Sequence, residues 1–230
     1  MKRKALSLIL AFAMAVSLFT VGASAAEPTY GDTAGHWAEA SIERWSGYGI
    51  IQGSNGKFDP DGQLTCAQLA TILARLLKLP AAKDAGFIDN PADAWYYDAI
   101  NRCAAAGILK GNGDGTVTPN ASITRERAMV MLGRALRAGI VGGVTADQLA
   151  PQNNITRAAT VTILDRAIGT YADKAGETVN ANGKGIVLAV ADDVTITGEV
   201  NKLLVPANDI EVTVKGSKNI DYIVISGDNS

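Results

Sequence analysis

Apolar residues recur at helical spacing three times along the chain, each time after a threonine. Counted from Thr65, positions four, seven, eight, eleven and twelve are Leu69, Ile72, Leu73, Leu76 and Leu77. From Thr124 they are Ala128, Met131, Leu132, Ala135 and Leu136, and from Thr156 they are Thr160, Ile163, Leu164, Ala167 and Ile168. A stripe with this period predicts an amphipathic helix that buries one face. The threonine before each stripe is a good N-cap, because its side-chain oxygen accepts a first-turn N–H. Gln68, three residues after Thr65, completes a capping box, whereas Arg127 after Thr124 does not. An arginine also stands ten residues after each threonine, at Arg75, Arg134 and Arg166.

A second helix precedes two of these stripes. The segments HWAEASIERWSGYGIIQG (36–53) and AWYYDAINRCAAAGILKG (94–111) align at a constant offset of 58. In them Trp37, Ile42 and Trp45, then Trp95, Ala99, Ile100 and Cys103, recur at helical spacing before Gly49 and Gly107, which can end a helix in the left-handed region. Loops dense in Gly, Asn, Asp and Pro follow, and one inserted residue shifts the offset to 59 from Pro60 to Pro119 onward. The third copy lacks its tryptophan helix, so the helix after Thr124 closes the second repeat and opens the third. A helical array tolerates such a deletion better than a single closed core does.

After ADKAGE the pattern changes. From Thr178 onward β-branched residues alternate with Gly, Asn and Asp, which predicts short strands. VTITGEVNKLLV and VTVKGSKNIDYI align at an offset of eighteen, consistent with rungs of a small β-solenoid or with a sheet of hairpins. Stacked rungs would bury Val194, Ile196, Val212 and Val214, and the last rung would leave an unpaired edge. The expected fold is therefore α+β: an N-terminal helical repeat array of two full repeats and a partial third, followed by a small all-β module. The boundaries read as a signal peptide over 1–25, repeats over 27–80, 81–138 and 139–172, and the β module over 178–230.

Composition narrows the function. Lys2, Arg3 and Lys4 precede an apolar run from Ala5 to Val21 and the small residues GASAA, the pattern of a secretory signal peptide. No second run is long enough to span a bilayer after cleavage. A net charge of -2 offers no basic stripe for nucleic acid. Cys66 and Cys103 are too few for a disulfide framework and read as unpaired thiols, Cys103 on an apolar helix face and Cys66 nearer the surface. His36 is the only histidine. No nucleophile elbow, metal cluster or acid/base pair is nameable, so no catalytic residue, metal or cofactor is expected.

The aromatic-x-Asp openings (YGD, FID), the Trp helix, GIIQG and GILKG, the FDP and VTP loops and the ITR-plus-helix segments resemble the S-layer homology (SLH) domain over roughly Tyr30 to Tyr171. The resemblance implies an exported protein anchored to a Gram-positive-type cell wall through acidic, pyruvylated secondary cell-wall polysaccharide. It also implies a pseudo-threefold helical unit with ligand grooves between repeats, and assigns the groove arginine to Arg125 and Arg157. Chemistry agrees with that role, since a guanidinium at a helix N-terminus meets an acidic sugar substituent with a charge, directed donors and first-turn N–H groups. Outside the repeat context both arginines read as solvated first-turn residues. Trp37 and Trp95 read equally as groove walls or core, and Lys110 and Gly111 as groove members or as an ordinary turn.

Two departures bear on affinity: Cys66 stands where the first repeat should carry its arginine, and the third repeat is short. The alternatives are a self-associating envelope component without polysaccharide binding, or the accessory part of a wall- or polysaccharide-degrading system; the β module is a candidate surface for self-association.

Overall fold

A computed structural model describes residues 30–136, 152–206, 209–216, 220 and 222–225. The expected signal peptide and the junction at 137–151, where the deletion was inferred, lie outside the described residues.

Among the described residues five helices come first: α1 (Glu39–Gly47), α2 (Cys66–Leu76), α3 (Tyr97–Ala105), α4 (Arg125–Leu136) and α5 (Arg157–Ala167). The three threonine-led stripes form α2, α4 and α5. At α2 the capping box is complete: Gln68 N–H donates to Thr65 Oγ1 (3.2 Å), and Thr65 N–H donates to Gln68 Oε1 (3.0 Å). Gly49 and Gly107 follow α1 and α3 with φ of 72° and 69°. Trp37 and Trp95 lie two residues ahead of the helices they were assigned to, so the apolar periodicity begins at Ile42 and Ala99.

The three threonine segments meet at one point. Leu64 N–H donates to Ile155 O (3.0 Å), Ile155 N–H to Ile123 O (3.1 Å) and Ile123 N–H to Leu64 O (2.8 Å). This closed triangle of backbone bonds carries three fully buried side chains at its centre. The repeats thus share one core, and their N-terminal helix ends converge.

Seven strands follow among the described residues: β1 (Ile168–Ala172), β2 (Thr178–Asn182), β3 (Ile186–Ala189), β4 (Val194–Glu199), β5 (Lys202–Val205), β6 (Val212–Lys215) and β7 (Tyr222–Ile225). They alternate between a sheet ordered β1-β3-β5-β7 and one ordered β2-β4-β6, and every pairing is parallel. Hairpins are thereby excluded for these strands. Val194 pairs with Val212 and Ile196 with Val214, the eighteen-residue offset of the sequence. Val194 and Ile196 are buried, while Val212 and Val214 on the outer strand are half-buried. Every residue of β3 is buried, because Ile186 and Leu188 join the helical core while Val187 and Ala189 face the interior of the coil. A strand covered on both faces gives the uninterrupted apolar run GIVLAV rather than an alternation. The outermost strand, β7, exposes Ile223 and Ile225.

Two expectations are corrected. The β coil begins at Ile168, inside the segment assigned to the third repeat, because Ile168–Ala172 pairs with β3 instead of extending α5. Cys66 is fully buried rather than near the surface, because its helix start is covered by a loop of the second repeat: Cys66 N–H donates to Ala121 O (3.2 Å). Both cysteines are unpaired, as expected.

Gly53 and Gly111 close the GIIQG and GILKG turns, and the aromatic ring that opens each repeat lies over them. A Cβ on Gly53 would run into Lys57 O and stand 2.6 Å from the Tyr30 ring, whereas one on Gly111 would stand 2.8 Å from the Phe87 ring and 3.1 Å from Thr116 O. Backbone yields less readily than a ring. Gly53→Ala should therefore cost about 1–3 kcal/mol by overpacking, and more than Gly111→Ala; thermal melts of the two variants check the order.

Candidate functional site

Each full repeat shapes its loop with the aspartate of the aromatic-x-Asp opening. Asp32 accepts from Phe58 N–H (2.8 Å) and Asp59 N–H (2.7 Å); Asp89 accepts from Val117 N–H (2.9 Å) and Thr118 N–H (2.8 Å). Asp59 and Thr118 occupy the left-handed region, with φ of 56° and 48°. Non-glycine residues hold that conformation only where the surroundings enforce it, and the carboxylates do so here.

The Phe58 N–H bond, with that of Asp59, holds the Asp32 carboxyl below the usual carboxylate range. The unfolded chain binds the proton more tightly. Asp32 therefore contributes stability that is full above the unfolded value of about 4 and is lost as pH falls through the folded value. Asp32→Asn should flatten this acid limb, so that wild type and variant differ most at neutral pH and converge towards pH 3. Urea unfolding across that range measures it.

Fixing the loop presents its carbonyls to the neighbouring helix start. Arg157, the first residue of α5, donates through Nε to Phe58 O (2.9 Å) and through Nη2 to Gln52 O (3.0 Å). Its guanidinium carbon lies 4.4 Å from the centroid of the Phe58 ring. Burial pulls this guanidinium down from its ordinary value, against the charges of Asp59, Tyr30 and Asp32. Those bonds use two of its five N–H groups. Its position is over-determined by two carbonyls and a ring.

One part of the expected anion site is not there. The first-turn N–H groups are consumed between repeats: Arg157 donates to Gly62 O (2.9 Å), Ala158 to Pro60 O (2.9 Å), Ala67 to Pro119 O (2.9 Å) and Arg125 to Asn153 O (2.8 Å). The third N–H of α5 goes to the threonine cap, Ala159 to Thr156 Oγ1 (3.2 Å). Repeat packing takes the donors that an isolated helix end would offer, so an anion at this junction would meet side chains instead.

The tryptophans flank these junctions and are not core. Trp37 and Trp95 are each 65% exposed. Trp37 lies against His36 (ring centroids 5.2 Å apart), and His36 reaches Asp61 (3.4 Å), between the carbonyls that receive α5. Trp95 lies against Tyr96 (5.3 Å), whose hydroxyl accepts from Asn120 Nδ2 (3.2 Å), between the carbonyls that receive α2. Trp37 and Arg157 thus border the first-repeat loop. Trp95, Lys110 and Gly111 border the second, opposite Cys66, with Lys110 exposed and Gly111 beneath the Phe87 ring. Arg125 starts α4 and faces the third segment, much of which is outside the described residues. The six candidates therefore divide among three places. No cluster of His, Cys, Asp and Glu suited to a metal occurs among the described residues.

The sequence matches the S-layer homology domain over residues 29–70, 89–126 and 132–160. The chain is an S-layer homology domain protein. It is 36% identical over 121 residues to the surface-layer 125 kDa protein of Lysinibacillus sphaericus, covering 52% of this chain and 10% of that protein. It is likewise 36% identical over 118 residues to the S-layer protein sap of Bacillus anthracis, covering 50% of this chain and 14% of the relative. An amylopullulanase of Thermoanaerobacterium thermosulfurigenes is 32% identical over 111 residues, 47% of this chain and 6% of the enzyme, and the likeness lies in the SLH region. The matches thus span about a tenth of the length of these relatives. Family and surface-layer relatives together make this SLH protein a cell-surface, cell-wall-associated extracellular protein. Among its described residues no helix is long and apolar enough to cross a membrane.

Sequence reasoning missed three residues that hold these loops. Asp32 and Asp89 were visible as part of the opening motif, but their bonding partners lie 26 to 29 residues away. Arg127 was noted only for failing to complete a capping box, yet its guanidinium reaches Val117 O (2.9 Å) and Thr118 Oγ1 (3.2 Å).

Proposed function

We propose that this SLH protein is a non-catalytic surface component held on the bacterial wall by its helical repeats, which bind acidic, pyruvylated secondary cell-wall polysaccharide. The repeats run over 27–80 and 81–138, with a shortened third that ends at α5; the strands after it form a short β-solenoid carried on the array. The observation that supports the reading most is Arg157, held by two carbonyls and a ring of the first-repeat loop, the repeat that also carries the exposed indole of Trp37. A carboxylate on a sugar ring needs such a pair: a guanidinium for the charge and an aromatic face for the apolar side of the ring. Arg125 is assigned the same task at the third segment, and Trp95 and Lys110 are assigned to the second groove with Gly111 shaping its turn. The β module is the part through which copies would associate if the protein also assembles.

Co-sedimentation with peptidoglycan sacculi tests the reading. The mature protein should pellet with sacculi that retain their secondary polysaccharide and stay in solution with sacculi stripped of it. Equal pelleting with both would overturn anchoring through the polymer, and concentration-dependent assembly without walls would favour a self-associating envelope component. Loss of turbidity of the wall suspension would point to a degrading system.

A further inference from the structure

The second groove lacks its expected arginine, because the first residue of α2 is Cys66. In the first groove Arg157 comes from another repeat and donates to Phe58 O (2.9 Å). The matching carbonyl of the second groove belongs to Val117, and it too receives a guanidinium: Arg127 donates to it through Nη2 (2.9 Å) and to Thr118 Oγ1 through Nη1 (3.2 Å). Arg127 belongs to the same repeat as the loop it reaches, and stands at the third position of α4, where α2 has Gln68 and α5 has Ala159. Its backbone N–H still goes to the cap, Thr124 Oγ1 (3.3 Å). Burial raises the Cys66 thiol above its ordinary value, against the charge of Arg127.

We propose that Arg127 supplies to the second groove the guanidinium that Cys66 withholds, so that this groove also binds the acidic substituent of the wall polysaccharide.

The proposal rests on the polysaccharide-binding reading above. The rest of the groove fits it. Trp95 offers an exposed indole, and Lys110 stands where the first repeat has the neutral Gln52. Asp59 and Asp61 of the first loop are replaced by Thr118 and Asn120, which removes two negative charges from the approach. Asp89 and Asp114 remain, with their carboxylates turned onto Val117 and Thr118 N–H and onto Thr116. A brace for the loop needs only a donor to Val117 O; an anion site needs the charge as well.

That difference sets the experiment. The full mature protein is titrated with purified pyruvylated wall polysaccharide and with the same polymer freed of its ketal by mild acid. Arg127→Gln keeps an amide donor for Val117 O but removes the charge, and Arg127→Lys keeps the charge. Arg127→Gln should weaken binding of the pyruvylated polymer about tenfold, the value of one charge-assisted contact, while Arg127→Lys, which keeps the charge but loses the fork, should lose less than Arg127→Gln. The swap Cys66→Arg with Arg127→Gln, which returns the arginine to the first position, should recover affinity that a mere loop brace would not restore. Wild-type affinity in Arg127→Gln, alongside lost affinity in Arg157→Ala, would overturn the proposal and leave the anchoring reading standing. No binding by wild type would overturn both. If Arg127→Gln melts early, the Arg127→Lys and swap variants decide on the same criteria.

Discussion

Replacing Trp45 with alanine is expected to destabilise the protein by about 3–5 kcal/mol, the usual cost of emptying a large aromatic site that cannot collapse. Trp45 is fully buried at the seam between the helical repeats and the β coil. Its ring centroid lies 5.8 Å from that of Tyr48 and 5.7 Å from that of Tyr171, and the Tyr171 hydroxyl donates to Leu76 O (3.0 Å). The guanidinium of Arg44 lies 4.9 Å from the ring and also donates to Asp165 (2.7 Å) and to Gly169 O (3.1 Å), tying α1 to α5 and to the first strand. Removing the indole therefore loosens three elements at once. Among the described residues the indole Nε1 has no hydrogen-bond partner, however. Trp45→Phe deletes an unsatisfied buried donor as it shrinks the ring, so it should cost well under half as much. Urea unfolding followed by circular dichroism measures both. Equal losses, or a loss in Trp45→Ala under about 1 kcal/mol, would contradict this account of the seam.

The architecture was legible where local chemistry set it. The threonine caps, the apolar stripes of α2, α4 and α5 and the eighteen-residue offset of the strands depend on residues a few positions apart or on exact repetition. What stayed hidden was set by partners distant in sequence. Ile168 continues the α5 stripe in register, so nothing local signals that it pairs with Ile186 instead. Cys66 looks like an exposed first-turn residue until a loop more than fifty positions away covers it. The site shows the same division. Arg157 stood out in the repeat as a candidate residue, but the carbonyls that hold it lie 99 and 105 positions away in sequence. The first-turn N–H groups looked available to a ligand because a helix end read alone always offers them, and only the packing of one repeat on the next shows them spent. Trp37 and Trp95 fit a helical period as well as they fit the turn before it, and their 65% exposure settles which they follow.

The second large effect is at Arg157. Arg157→Ala removes the charge, two carbonyl contacts and the stacking on Phe58, and is expected to weaken wall-polysaccharide binding at least tenfold, on the order of 1.5–3 kcal/mol for a hydrogen-bonded charge. Arg157→Lys should retain little of the binding, since a point charge cannot span Phe58 O and Gln52 O while lying flat on the ring. Part of the loss in either variant would be structural, because the Phe58 and Gln52 carbonyls lose their donors. Thermal melts separate the two contributions: a variant that melts within a few degrees of wild type yet fails to bind has lost recognition rather than fold.

The most direct test of the central claim is calorimetric titration of the mature protein with purified pyruvylated wall polysaccharide, run beside the same polymer with its ketal removed and beside folded Arg157→Ala. The account predicts binding by wild type that weakens at least tenfold on loss of either the ketal or the arginine, with little further loss when both are removed. Undiminished binding of the ketal-free polymer by wild type, or of the intact polymer by folded Arg157→Ala, would contradict it.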